Sequence, residues 1–378
     1  MSRALEGNVE ALLATGNPQS AYESIVDSLV SLFAHPAGRP EFEILPATHV
    51  LGKGQYVLRD GLSLGISKLG LVQAFLFARP ILMGHLDGIV PRSDEEIDAA
   101  TAVILLLDAE HLTAANTRKR LLARKIKAAT PATEGGNAGD IDEIRAKVAV
   151  DLAKEKLFID SLLTSRMYRH NKSPTLLNHR RWLLNEIIQK KFDLDFDLRR
   201  QLQDVVFVAA ERHSQNYYAW HHARIQANIL LGRPLIGLEP GYKGTGSIRT
   251  SAEAQEILKL IVDWCMSHHT DTSGWSFLYW AFDHLTGLTS SDINETYNKV
   301  LQLAKSLRLT NEAVWVFLRT VTASRLVDSE RRRDFADVVH YLSEKEGDRF
   351  PAGKVLQAAE SWVREFQDDN TTNNNNNA

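Results

Sequence analysis

Cysteine is nearly absent from the 378 residues, Cys265 being the single one. One thiol excludes an internal disulfide and any cysteine-rich zinc module. It fits a reducing compartment, most simply the cytosol, so a cytoplasmic location is expected. There is also no surplus of one charge: 44 basic and 47 acidic residues leave a net charge of −3. That balance supplies no global pull toward nucleic acid or an anionic membrane. A long uninterrupted apolar run is missing too. The most apolar stretch, from Leu62 to Met83, is broken by Lys68, Gln73 and Arg79, which makes a membrane span costly. Its apolar positions Leu69, Val72 and Phe75 or Leu76 recur at helical spacing, as in a buried helix. The opening residues, MSRALEGNVEALLATG, carry acids and no apolar core, unlike a secretory signal.

Familiar ligand motifs are lacking as well. The GKG at 52–54 has none of the other P-loop residues, and no dinucleotide fingerprint, leucine-zipper heptad or alternating strand pattern occurs. What is present is 44% hydrophobic and 24% charged residues, enough for a substantial core. The length suits two to three domains of about 150 residues or one repeat array. Ala21, Ile25, Leu29 and Leu32 mark an opening helix, 41–61 holds the one plausible extended segment, and from about 62 onward helical periods dominate. Thr250 and Glu253 have capping-box spacing ahead of Ile257, Leu260, Ile261 and Trp264. Residues 130–140 read as a flexible insertion and 231–247, with five glycines and two prolines, as a long loop. The asparagine-rich 368–378 reads as a disordered tail. An all-α fold is the expectation.

An all-helical chain is next searched for internal repeats. HLTAANTRKRLL (111–122), NKSPTLLNHRRWL (171–183), SQNYYAWHHARIQ (214–226), DTSGWSFLYWAF (271–282) and LTNEAVWVFLRT (309–320) share one frame. It aligns Ala115, Leu177, Trp220, Trp275 and Trp315 at intervals of 62, 43, 55 and 40 residues, the two long ones containing the two insertions. An apolar anchor followed within a turn by His and Arg lets the anchor pack between helical hairpins while Arg reaches acids or carbonyls on the preceding helix. One hairpin cannot bury its apolar face alone, so stacking follows. Adjacent histidines, His221–His222 and His268–His269, diverge by about 100° on a helix and rarely share a metal.

NYYAWHHAR and NHRRWLL resemble the NYxxWxHRRxxL repeat of protein prenyltransferase α subunits, the non-zinc halves of farnesyl- and geranylgeranyltransferases. LLLDAEHLTAANTRKRLL is similar to the divergent α-subunit-repeat-containing proteins, some of which act in a type III geranylgeranyltransferase. The resemblance implies an α-α superhelix of antiparallel helical hairpins. It would comprise a mainly helical extension over 1–95, about five repeats over 96–325, C-terminal helices over 326–367 and the tail. It implies a subunit inactive alone, which clamps a β subunit of the Rab-geranylgeranyltransferase type and helps select the protein to be prenylated. Zinc and prenyl diphosphate would sit on that β subunit, with no cofactor, nucleic acid or membrane span on this chain. Lys172 matches the family's lysine near the isoprenoid diphosphate, where an ammonium offsets the charge of the leaving group. Asn216, Tyr217, Tyr218 and His221 match the substrate-side motif. Leu177, Asn178, His179, Arg180, Arg181, Trp220, His222, Arg224, Trp275 and Trp315 match the structural letters of the repeat. The chain departs from the pattern at Ser173-Pro174 and Leu177, where the family has Asn-Tyr and Trp, and at Ala223, where it has Arg. The competing reading is a stand-alone helical-repeat scaffold for protein interaction.

Overall fold

The computed structural model describes residues 17–34, 38–46, 51–52, 54–130, 138–192, 194, 197–231, 250–324, 326–346 and 351–375. The insertion over 130–140, apart from its two ends, and nearly all of the loop 231–247 lie outside them. The chain is 75% helical, with little sheet. By packing it divides into two compact units, one comprising 1–196 with 200–222 and the other 197–199 with 223–378.

The first unit opens with α1 (Pro18–Ala34), whose Ala21, Ile25, Leu29 and Leu32 are buried. A three-stranded sheet follows, of β1 (Glu41–Leu45), β2 (Val57–Asp60) and β3 (Ser63–Ser67) in the order β1-β3-β2. This sheet corrects the reading of a chain without strand alternation. β2 and β3 form an antiparallel hairpin across Gly61 (φ 55°), and β1 runs parallel to β3 with Glu41 beside Ser63. The strands have four or five residues, too short for their period of two to stand out beside the apolar helix that follows. Ser67 ends β3 and caps α2 (Lys68–Leu86), its Oγ accepting from the Gly70 N–H at 2.9 Å. α2 is long and apolar enough to cross a membrane, yet buries Leu71, Ala74, Phe75, Ala78 and Leu82 against the protein core. Its buried face is therefore offset from the expected one, because Leu69 is 45% exposed and Val72 and Leu76 are half-buried.

α3 (Asp94–Leu107), with a Ser93–Glu96 capping box, packs on α2 and on α4 (Leu112–Ala128). α5 (Ala138–Leu163) and α6 (Pro174–Gln189) extend the series, α4 also meeting α6 directly. Leu198–Arg212 forms α7 (Leu198–Gln201), a π turn (Leu202–Phe207) and α8 (Val208–Arg212). Within it Leu198, Leu202, Val205 and Val206 are buried, as their spacing predicts. The boundary between the units falls within α9 (Tyr217–Leu230).

The second unit continues with α10 (Ser251–Ser267), α11 (Thr272–His284), α12 (Ser290–Ser306), α13 (Glu312–Ala323), α14 (Ser329–Glu346) and α15 (Ala352–Asn375). α10 carries the Thr250–Glu253 capping box. Packing pairs α10 with α11 and α12, α11 with α13, and α13 with α12, α14 and α15. Such contacts between next neighbours are those that stacked helices need to bury faces a single pair leaves open. α15 runs to Asn375, so the backbone of the segment read as disordered is helical over most of its length. A helix already nucleated gains one hydrogen bond for each residue added.

Candidate functional site

Each of the five repeat segments contains a helix N-cap, and the anchor always stands four residues after it. His111, Ser173, Asn216, Asp271 and Asn311 are those caps, and each carbonyl accepts from the anchor N–H at 3.0–3.3 Å. Four caps also use the side chain: His111 Nδ1, Ser173 Oγ, Asn216 Oδ1 and Asp271 Oδ1 accept from the N–H three residues on, at 2.8–3.2 Å. A capping side chain fixes where the helix starts and so sets the depth of the anchor. Ala115, Leu177, Trp220, Trp275 and Trp315 are all buried. Trp275 and Trp315 donate Nε1–H to the carbonyls of His269 and Leu309. Trp220 packs on Phe207 at 5.8 Å between ring centroids.

The residues two and three positions after each anchor are buried as well. In the first unit four of them are basic residues, Arg118, His179, Arg180 and His222. Arg118 donates to Glu155 through Nε and Nη2, to the Asp98 and Thr101 oxygens through Nη1, and pairs with the Asp98 carboxylate at 2.9 Å. His179 Nε2 lies 3.0 Å from the same Glu155. One repeat on, Arg180 pairs with Asp160 at 2.5 Å, donates Nη1–H to His222 Nε2 at 3.0 Å, and reaches Gln201. Burial alone would raise the Glu155 carboxyl, but Arg118 and His179 hold it well below the usual range. Burial likewise opposes, and Arg180 and Lys156 outweigh, in bringing Asp160 down to about 2. Burial depresses His179 and His222, and the neighbouring Arg180 depresses His222 further. The last two repeats replace this pair with Phe277 and Leu278, and with Phe317 and Leu318, all buried. Ala223 takes the place of the arginine in the third. The next position is half-buried throughout and cationic in four repeats: Lys119, Arg181, Arg224 and Arg319. Arg224 donates to Ser276 Oγ at 2.9 Å and lies over the Phe277 ring. Asn178 is exposed.

Lys172 closes the single turn His170–Lys172 before α6. It is half-buried, its ammonium 4.9 Å from the centroid of the Tyr168 ring. That ring meets His213 edge-on at 4.3 Å. Residue-pattern reasoning missed both Tyr168 and His213, since they stand just outside the repeat segments, three residues and one residue before them, and no motif marks them. It missed Glu155 and Asp160 for a different reason, as they lie on α5, outside the repeat segments that the frame singles out.

Asn216 ties two repeats together. Its Nδ2–H₂ donates to the carbonyls of Asn171 at 2.8 Å and Ala209 at 3.2 Å. The turn holding Lys172 thereby adjoins the start of α9. There Tyr217 is 60% and Tyr218 45% exposed, and Tyr217 stacks on the exposed His221 at 5.8 Å. Among the described residues no three His, Cys, Asp or Glu side chains converge as a metal site would require. His221 is exposed and His222 buried. Cys265 is buried, which raises its thiol well above the ordinary value.

No protein-family model matches the chain, and the search of curated proteins finds no match.

Proposed function

We propose that this chain is the α-type, non-zinc subunit of a protein prenyltransferase, a geranylgeranyltransferase in the first instance. It would be built as an α-α superhelix of antiparallel hairpins that clamps a barrel-type β subunit. The observation that carries the reading is the bond from Asn216 to the Asn171 carbonyl. It brings an exposed aromatic face (Tyr217, Tyr218, His221) beside the turn of Lys172, while Leu177, His179, Arg180, Trp220 and His222 of those repeats are buried in packing. Residues left exposed at the starts of adjoining helices are available to a partner; buried ones are not. In this reading Lys172 stands near the prenyl diphosphate, and Tyr217, Tyr218 and His221 face the acceptor peptide. Zinc and lipid belong to the partner subunit.

The test is reconstitution. The full chain, co-expressed with a barrel-type β subunit, is expected to co-purify with it and transfer a prenyl group, and to be inactive alone. Trp220→Ala should lose about 3–5 kcal/mol of stability and weaken assembly. Lys172→Ala should assemble normally and turn over more slowly, a lost charged donor being worth roughly 2–4 kcal/mol in such a site. Equal turnover by the wild-type and Lys172→Ala complexes would leave the chain a clamp without catalytic contact. A stand-alone scaffold is the second reading. It is favoured by the layer of α1, α2 and the sheet built onto the first repeat helices, and by the replacements Ser173-Pro174 and Ala223. Failure to recruit any β subunit would select it.

A further inference from the structure

The first unit encloses a cavity of about 410 Å³ between α1 and the layer of α3, α4 and α5, well apart in kind from the surface of Tyr217 and Lys172. Its volume lies within the range of small-molecule sites, which pair apolar walls with a few polar groups. Val26, Val30 and Phe33 line it from α1, and Leu121 faces them from α4. Asp98, on α3, also lines it, its side chain 58% exposed.

Charge pairing around the cavity is incomplete at that residue. Asp94 has Arg124 at 2.7 Å, and Lys125 has Asp151 at 2.7 Å. Arg118 is left to serve two carboxylates, Glu155 at 2.5 Å and Asp98 at 2.9 Å. Glu155, 5% exposed, engages Nε and Nη2 of the guanidinium, so Asp98 shares Nη2 second. Five carboxylates (Asp94, Glu95, Asp98, Asp151 and Glu155) line the cavity against three cations (Arg118, Lys125 and Lys154), so acid is in excess beside the apolar wall. Desolvation against the cavity wall and the neighbouring Glu155 and Asp151 raise the Asp98 carboxyl, against the pull of Arg118 and Lys125.

We propose that this cavity is a binding site for a small aliphatic amine, its ammonium paired with Asp98 and its chain laid along Val26, Val30 and Phe33. An ammonium supplies the missing cation, and its hydrocarbon buries apolar wall that otherwise faces water. A carboxylate of the same length meets the reverse field, and an alcohol lacks the charge.

Isothermal titration of the full chain at pH 7 compares three probes of equal length: hexylammonium chloride, 1-hexanol and sodium hexanoate. Hexylammonium should bind at one site per chain with Kd of about 1 mM or below, at least tenfold tighter than the other two. Asp98→Asn should weaken hexylammonium tenfold or more while leaving hexanol as it was. Val30→Trp, at a position 64% exposed on the rim, should suppress binding by filling the cavity, with an unchanged melting temperature. Hexylammonium binding no tighter than hexanol, or binding indifferent to either substitution, would overturn the assignment. The comparison of probes on the wild-type chain needs no variant to fold.

Discussion

His222 shows how far one residue constrains its own protonation. A guanidinium has no lone pair to offer, so the 3.0 Å contact with Arg180 Nη1 makes His222 Nε2 the acceptor. The ring must therefore be neutral, with its proton on Nδ1. Its pKa in the folded chain lies well below the ordinary value of 6.5. A depressed histidine binds protons more weakly in the native than in the unfolded state, so stability falls as pH drops below about 6.5. His179 and His170, also depressed by burial, add to the same fall. Asp160, brought down to about 2, acts lower: its contribution is full above the unfolded carboxyl value and is lost as pH approaches 2. Urea unfolding at pH 7.5 and 5.5 should show a lower midpoint at pH 5.5. His222→Gln, which keeps an acceptor for Arg180 and cannot titrate, should reduce that difference. An unaltered difference in the variant would assign the pH response to other groups.

Helix ends show where residue choice and backbone demand diverge. Lys191 and Arg308 follow α6 and α12 in left-handed conformations, φ 53° and 49°. The Phe192 N–H bonds back to the Ile187 carbonyl at 3.0 Å, and the Leu309 N–H to the Ala304 carbonyl at 2.9 Å, the pattern of a Schellman ending. Glycine meets that conformation without steric cost, so Lys191→Gly and Arg308→Gly should each raise stability by about 0.5–1 kcal/mol. Thermal unfolding of the two variants and their combination checks this; a loss would mean that the long side chains hold contacts worth more than the strain. The elements themselves were legible to different degrees. Helices with caps and an apolar stripe, such as α10 and α12, could be placed by counting. The sheet could not, because β3 merges into α2 at Ser67 and its Leu64 and Ile66 are absorbed by a helical period. Its one local signal was Gly61, which opens the two-residue turn Gly61-Leu62 between the paired Asp60 and Ser63. Within the candidate site, the buried anchors and arginines followed from the frame. Tyr168 and His213 did not, since proximity across a turn leaves no spacing to read.

For the molecule as a whole, packing and sequence periodicity divide the chain differently. The repeat frame runs from Ala115 to Trp315, while the compact units part within α9. Helix α15 is fastened by Trp362, which stacks on Phe366 at 4.4 Å and lies under Arg319 at 4.5 Å. Removing 368–378 leaves those rings in place, so the truncated chain should keep its thermal midpoint within about 1 °C, as changes remote from the core usually do. Far-UV circular dichroism should lose only the signal of the deleted turns. The π turn at Leu202–Phe207 bears on heredity rather than on energy. A π turn holds one residue more than the α turn it replaces. Gln201, before it, is bonded to Arg180, and Asn216, after it, to the Asn171 carbonyl. Deleting the exposed Gln203 would restore an α turn and rotate one of these partners against the other by about 100°. Descendants of this chain can exchange nearly any surface side chain between 201 and 216, but the tally of residues there is a letter count they cannot misspell.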